Sequence, residues 1–402
     1  MVTENLSNGI AVVIDDELDK DNATINNLVL QIEKQNMPCL KYTELPEDSV
    51  INHLEGISFL LLDWKLQDDT LGESVIEGVT LPDGIRRAAV EENITFLKRL
   101  KQSCFIPVFI FTNGPVEPII QVLKDNDLYQ EDKPNYIFVQ RKSDLTGRTK
   151  LFKVISEWIQ KTPSIYVLAT WDKAYRTSKI KLFYDFYNMS PNWPNILWKS
   201  YAADGVNMSL ELGEVITRNL HTRMVPFAFD GRILNKRPKK SPAKDEVRNV
   251  LQGERFIGKK GLQDDTICAG DVFKISSKIY INIRPDCDCI PGRDATYSET
   301  GDVNLYLLRG SKLSDEKLKK IYRKEYGNFE EIDNQSIVFS IINGKAYDFR
   351  FKDLSIKKWS NIKDKRIGRL LPPYITRMQQ RYSLYLQRSG LPRTPKMAVL
   401  GK

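Results

Sequence analysis

The stretch Ile10-Ala-Val-Val-Ile14, followed at once by Asp15-Asp16-Glu17, decides how the amino-terminal part of this chain is read. A run of consecutive apolar residues, mostly β-branched and bounded by charge, suits a strand covered on both faces. The carboxylates mark the point where it leaves the core. The pattern returns at Ile57–Leu62, closed by Asp63, and at Pro107–Phe111, closed by Thr112 and Asn113-Gly114. It returns again at Tyr136–Val139, shortly before Arg141-Lys142-Ser143, and a further run, Cys39–Thr43, lies between the first two.

The segments between these runs carry helical spacing. Ile25, Leu28, Val29 and Ile32 precede the second run; Val90, Ile94 and Leu97 precede the fourth; Val116, Ile120 and Leu123 precede the fifth. Leu151, Val154, Ile155, Trp158 and Ile159 follow it. Strands alternating with amphipathic helices predict an α/β domain, a flavodoxin-like doubly wound five-stranded parallel sheet over residues 1–160. In such sheets ligands bind where the strands end at their carboxyl edge. Those positions hold Asp15 and Asp16, Asp63, Thr112 and Lys142.

Carboxylates crowded together repel one another unless a cation sits among them. Oxygen ligands from one or two carboxylates, completed by water, suit Mg²⁺. A metal and an ammonium together neutralise a phosphoryl group in transfer, a central carboxylate can serve as nucleophile, and a hydroxyl can bond the phosphoryl oxygens.

With these residues in place, the segment from about residue 8 to 160 resembles the receiver domain of two-component response regulators. The resemblance implies that Asp15 and Asp16, with Asp63, hold Mg²⁺, that Asp63 is the phosphoacceptor, and that Thr112 and Lys142 are the switch hydroxyl and the lysine. It implies a histidine kinase or phosphotransfer protein as partner and slow self-dephosphorylation. The chain departs from the receiver pattern in three places. Asp63 and Thr112 are 49 positions apart, the excess falling in an acidic, Gly-containing insertion at Gln67–Arg87. Ser143 follows Lys142 where a proline is usual, and Val139, beside Phe138, stands where a switch aromatic is usual.

Composition sets the wider frame. Hydrophobic residues at 41% and charged residues at 28% are globular values. No apolar run approaches the length of a membrane span, and the amino terminus lacks the pattern of a signal peptide. Five cysteines fit a reducing cytoplasm, of bacterial type, better than a disulfide framework, and two histidines, His53 and His221, leave little scope for histidine chemistry. Residues 1–150 hold 15 Lys+Arg against 25 Asp+Glu, a net of −10; subtraction from the totals of 60 and 52 leaves +18 for the rest. A basic half of this kind can follow a nucleic-acid backbone or an acidic protein partner.

Residues 161–234 predict a helical linker or bundle. One helix carries Trp171, Tyr175, Phe183, Tyr184, Phe186 and Tyr187, read as core, and stops at Ser190-Pro191. A second follows Asn192-Trp-Pro194, and a third, from Ser209 to about His221, is expected to bury Leu210, Leu212, Val215, Ile216 and Leu220. Residues 235–248, with Lys-Arg-Pro-Lys-Lys-Ser-Pro, read as a basic linker. Residues 249–402 predict a basic, β-rich output domain, a small bent sheet or barrel. Its hairpins are Val272–Ile275 with Lys278–Ile283, and Ile337–Ile342 with Lys345–Phe351 across Asn343-Gly344, a type I′ signature. Val303–Leu308 is a further strand and Ser314–Tyr326 a basic helix. Cys268, Cys287 and Cys289 read as buried thiols or a tight turn rather than a zinc site, and Pro285-Asp-Cys-Asp288 is a weak alternative for a local active site. The terminal helix, Pro373–Arg388, combines Tyr374, Met378, Tyr382 and Tyr385 with Arg377, Arg381 and Arg388, a candidate partner-binding flank.

The expected function is therefore Mg²⁺-dependent phosphorylation of Asp63 controlling how the basic carboxyl-terminal half engages a protein or nucleic acid, with no membrane involvement and no enzymatic activity beyond self-phosphorylation and autodephosphorylation. Two alternatives stay open: a phosphorylation-independent pseudo-receiver scaffold in a multiprotein complex, phage defence being one such setting, and a receiver-gated effector enzyme.

Overall fold

The first strand, β1 (Ile10–Ile14), is followed by α1 (Thr24–Glu33), β2 (Cys39–Tyr42), the short α2 (Asp48–Ile51) and β3 (Ile57–Asp63). Then come α3 (Asp83–Ser103), β4 (Val108–Thr112), α4 (Val116–Asp125), β5 (Ile137–Arg141) and α5 (Lys150–Ile159). The computed structural model describes residues 9–21, 24–64, 83–131, 133–145, 150–225, 228–236, 241–262, 266–291, 302–321, 336–342 and 344–388. Of the insertion Gln67–Arg87, residues 67–82 lie outside the described residues, and 83–87 begin α3.

The five strands form one parallel sheet in the order β2-β1-β3-β4-β5. The two-residue period of a strand divides its side chains between two cores. Ala11, Val13, Phe59, Leu61, Phe109 and Phe111 pack with α1 and α5; Val12, Ile14, Leu60, Leu62, Val108 and Ile110 pack with α3 and α4. That is why the runs are apolar throughout rather than alternating. On the first face the Phe109 ring meets Phe59 and Trp158 edge-on at 5.7 and 5.1 Å. On α4 the fully buried residues are Ile119 and Leu123, with Ile120 half-buried, a small rotation of the predicted stripe. The order turns back on itself between β1 and β3, so loops leaving these neighbours diverge and open a crevice at their carboxyl ends.

Four helices follow: α6 (Pro163–Met189), α7 (Trp193–Ala203), α8 (Met208–Met224) and α9 (Gly231–Leu234). The start of α6 is anchored, with Ile165 and Tyr166 joining Ile233 in the core of the sheet, and the backbone N–H of Asp230 donating to the Tyr166 hydroxyl at 2.6 Å. Farther along, the expectation of a buried aromatic face is corrected. Trp171, Phe183, Tyr184 and Tyr187 are exposed, and only Ser178 and Leu182 are buried. Likewise α8 buries only Met224; Leu210 is exposed, and Leu212, Val215, Ile216 and Leu220 are half-buried. Helix α6 runs for 27 residues, longer than the sheet it starts against, so most of its length lacks a core to bury into.

By contacts the chain divides into two units, Met1–Pro194 with Gly213–Lys240, and Asn195–Leu212 with Ser241–Lys402. The second contains α10 (Lys244–Arg255), β6 (Phe256–Gly258), β7 (Asp271–Ile275), β8 (Lys278–Asn282), β9 (Asn304–Lys312), α11 (Asp315–Ile321), β10 (Ser336–Ile342), β11 (Lys345–Lys358), β12 (Arg366–Leu370) and α12 (Tyr374–Leu386). Helix α10 begins inside the segment expected to be linker, with Asp245 and Glu246 in its first turn, where the helix dipole favours negative charge.

The strands form a seven-stranded antiparallel sheet in the order β10-β11-β9-β8-β7-β12-β6. Both predicted hairpins are present, with Ile275 opposite Lys278 and Ile342 opposite Lys345. Gly344 supplies a positive φ of 66°, while Asn343 lies outside the described residues. The sheet runs from β10 at one edge to β6 at the other, rather than closing into a barrel. Along β11 the register against β9 breaks between Phe349 and Leu354, a break that bends a strand. On α12, Ile375 and Met378 are buried and the rings of Tyr382 and Tyr385 lie 6.0 and 5.6 Å from Phe351. Among the described residues no helix is long and apolar enough to cross a membrane.

Candidate functional site

The crevice at the carboxyl edge of β1 and β3 gathers the side chains singled out from the sequence. Asp15 follows β1 directly, Asp63 is the last residue of β3, Thr112 the last of β4, and Lys142 opens a 3₁₀ turn directly after β5. All four are buried, Lys142 with 0% of its surface exposed. The Lys142 ammonium lies 2.8 Å from Asp15 Oδ2, 3.3 Å from Asp63 Oδ2 and 3.8 Å from Glu17 Oε2. Asp15, Asp16 and Asp63 each offer a carboxylate oxygen within 4.8 Å of the others.

One ammonium faces more carboxylates than it can neutralise. Burial pushes the Asp63 carboxyl up to about 7; the neighbouring Lys142 charge opposes this, and Asp15 and Asp16 reinforce it. Asp16 is also raised, by burial first and by Asp15 second. Burial pulls the Lys142 ammonium down, but the charges of Asp63 and Asp15 more than offset it and hold it above its usual value. A site whose acids are raised by burial, and further by one another, is one into which a divalent cation fits. The donors are hard oxygens, the chemistry preferred by Mg²⁺, Ca²⁺ and Mn²⁺, and no thiol or imidazole is among them.

Three further contacts shape the crevice. The Glu17 backbone N–H donates to Asp15 Oδ1 at 2.9 Å, fixing one carboxylate oxygen. The Gly114 N–H donates to Thr112 Oγ1 at 3.0 Å, which leaves the hydroxyl proton for another acceptor. From α3, the buried Asn93 donates through Nδ2 to the carbonyl of Trp64 at 2.9 Å, holding the residue next to Asp63. Asn93 had not been recognised from the sequence. Its signal was a polar residue on the apolar stripe, three positions after Val90 and four before Leu97.

No protein-family model matches this chain, and no curated protein matches it.

The remaining candidates lie in the second unit. Arg377 and Arg381 are half-buried on α12, whereas Arg388, just beyond the helix, is exposed with its guanidinium 3.7 Å from the Tyr385 ring centre. Asp286 Oδ1 accepts from the Ala269 N–H at 2.6 Å, within a network in which Arg366 and Arg369 both donate to the Thr266 carbonyl and Arg369 pairs with buried Asp271 at 2.7 Å. Cys289 is buried, Cys268 half-buried and Cys287 exposed, and Asp286–Cys289 form a 3₁₀ turn. Burial pushes the Cys268 and Cys289 thiols up to about 11 and about 12, away from the thiolate a nucleophile requires.

Proposed function

We propose that this protein is a receiver-type signalling protein, phosphorylated on Asp63 in a reaction that requires Mg²⁺. One observation carries the reading: a buried carboxylate at a parallel-sheet edge lies 3.3 Å from a fully buried ammonium and within 4.8 Å of two further carboxylates. The flavodoxin-like strand order, the departure of Thr112 from the neighbouring strand and the lysine directly after β5 support it.

An Asp63 oxygen attacks the phosphorus of the donor; the new O–P bond forms as the bond to the leaving group breaks, and the leaving group keeps its electron pair. In this reading Lys142 and the Thr112 hydroxyl receive the phosphoryl oxygens. Asp15 and Asp16, with Asp63, would hold the Mg²⁺, which supplies charge neutralisation when bound. The acyl phosphate carries nearly two negative charges beside Lys142 and Thr112 where the carboxylate carried one at most, enough to reorder the loops that carry them and alter how the basic carboxyl-terminal half engages a partner.

Mass spectrometry after incubation with acetyl phosphate and Mg²⁺ tests this directly. One phosphoryl group is expected on the wild type and none on Asp63→Asn; equal labelling of the variant removes the assignment. A second reading, a scaffold that works without phosphorylation, is favoured by one feature of β5. Phe138 packs against Phe109 and Trp158, both at 6.0 Å, on the core face opposite to that of Val139, so no aromatic side chain stands at the switch position. Partner binding that persists unchanged in Asp63→Asn would select it.

A further inference from the structure

In the second unit a groove of about 500 Å³ runs between the start of α10, the end of β9 and the β10–β11 turn. Four cations line it: Lys244 and Arg248 from α10, Lys312 from β9 and Lys345 from β11. They are brought together by pairing: the Leu313 N–H donates to the Ala346 carbonyl at 3.0 Å, which sets Lys312 beside the strand that Lys345 opens. Two carboxylates, Asp245 and Asp315, share the groove. Arg248 meets Asp245 at 3.5 Å, while no salt bridge ties Lys244, Lys312 or Lys345 among the described residues.

The rest of the lining decides the ligand class. Its only large apolar side chain is Leu313, which is buried, as is Ala346. An acidic peptide docks through apolar anchors as well as charge, and the groove's apolar side chains, Leu313 and Ala346, are buried. A phosphodiester backbone needs no apolar wall, because its affinity comes from cations that displace condensed counterions. Beyond Asp315 and Glu316, which open α11, the exposed Lys317 and Lys319 add further positive charge along the chain. Repeating phosphates match charges spread in this way better than one compact metabolite does.

We infer that this groove binds the phosphate backbone of nucleic acid, through Lys244, Arg248, Lys312 and Lys345 and without reading the bases. The inference does not depend on the chemistry of Asp63.

The test is fluorescence anisotropy of the full chain with a labelled single-stranded oligonucleotide of mixed sequence, over a salt series. The double variant Lys312→Ala/Lys345→Ala is compared with Lys274→Ala/Lys278→Ala, which removes the same charge from exposed positions outside the groove. All four side chains are exposed, and circular dichroism checks that both variants stay folded. The groove variant is expected to bind about tenfold more weakly at low salt, with a salt slope shallower by about 1.4, as the loss of two single-strand phosphate contacts requires. The control variant, and oligonucleotides of different sequence, should match wild type with mixed sequence. Absence of binding at low salt, equal weakening in both variants, or displacement by poly-glutamate as readily as by unlabelled oligonucleotide would each overturn the inference.

Discussion

At the scale of single residues, Asp63 concentrates the consequences. An unfolded aspartate titrates near 4, whereas burial in the crevice raises this one to about 7. The folded state therefore holds a proton that the unfolded chain has lost, and stability falls as pH rises from about 4 to about 7, then levels off. A shift of about three units bounds the effect at roughly 4 kcal/mol. Urea denaturation of metal-free protein across this window should show a steeper decline in wild type than in Asp63→Asn, where the raised Asp16 carboxyl remains. Parallel profiles would show that Asp63 is not the titrating group. Lys142→Met removes the buried ammonium that pairs with Asp15 and Asp63, so it should raise the Asp63 carboxyl further and slow phosphorylation by acetyl phosphate more than tenfold, a loss of transition-state charge stabilisation of the kind such cations provide.

Among the elements, the approach of the chain just before β7 to the end of β12 sets a tight constraint. Gly270 has a φ of +87°, and a Cβ there would sit 2.3 Å from the Leu370 carbonyl oxygen. Gly270→Ala combines left-handed strain with a backbone clash and should cost about 2–4 kcal/mol in thermal or urea unfolding. In the first unit, Asn93 ties α3 to the residue after Asp63, and Asn93→Ala should cost about 1–3 kcal/mol through the carbonyl left buried. Elements differ in how far they could be read from sequence. The five parallel strands were legible because burial on both faces leaves unbroken apolar runs, and the β10–β11 hairpin because Asn-Gly between alternating strands readily takes the positive φ a two-residue turn needs. The aromatics of α6 were misread: Trp171, Tyr175, Phe183, Tyr184, Phe186 and Tyr187 mark an apolar surface, but spacing cannot say whether a core lies against it.

For the whole molecule, the two units have separate sheets and separate hydrophobic clusters. Domains with their own cores unfold as their own cooperative units. Calorimetry of the full chain should therefore resolve two transitions, and Mg²⁺ with beryllofluoride should raise only the one that Asp63→Asn abolishes the response of. A single transition, or one in which both move together, would show the units to be energetically coupled. The domain end expected near residue 160 from the alternation of strands and helices lies inside the first unit, which runs to Pro194 and includes Gly213–Lys240.

By itself the sequence determined which backbone segments form the parallel sheet and which acids, hydroxyl and lysine close its strands, because strand period and chain exit are local properties. Only the tertiary structure decided that Lys142 is shared between Asp15 and Asp63, that Asn93 steadies the neighbour of Asp63, and that Lys244, Arg248, Lys312 and Lys345 line one groove. Each of these arises from long-range pairing between residues far apart in the chain, and no periodicity or spacing records such a distance.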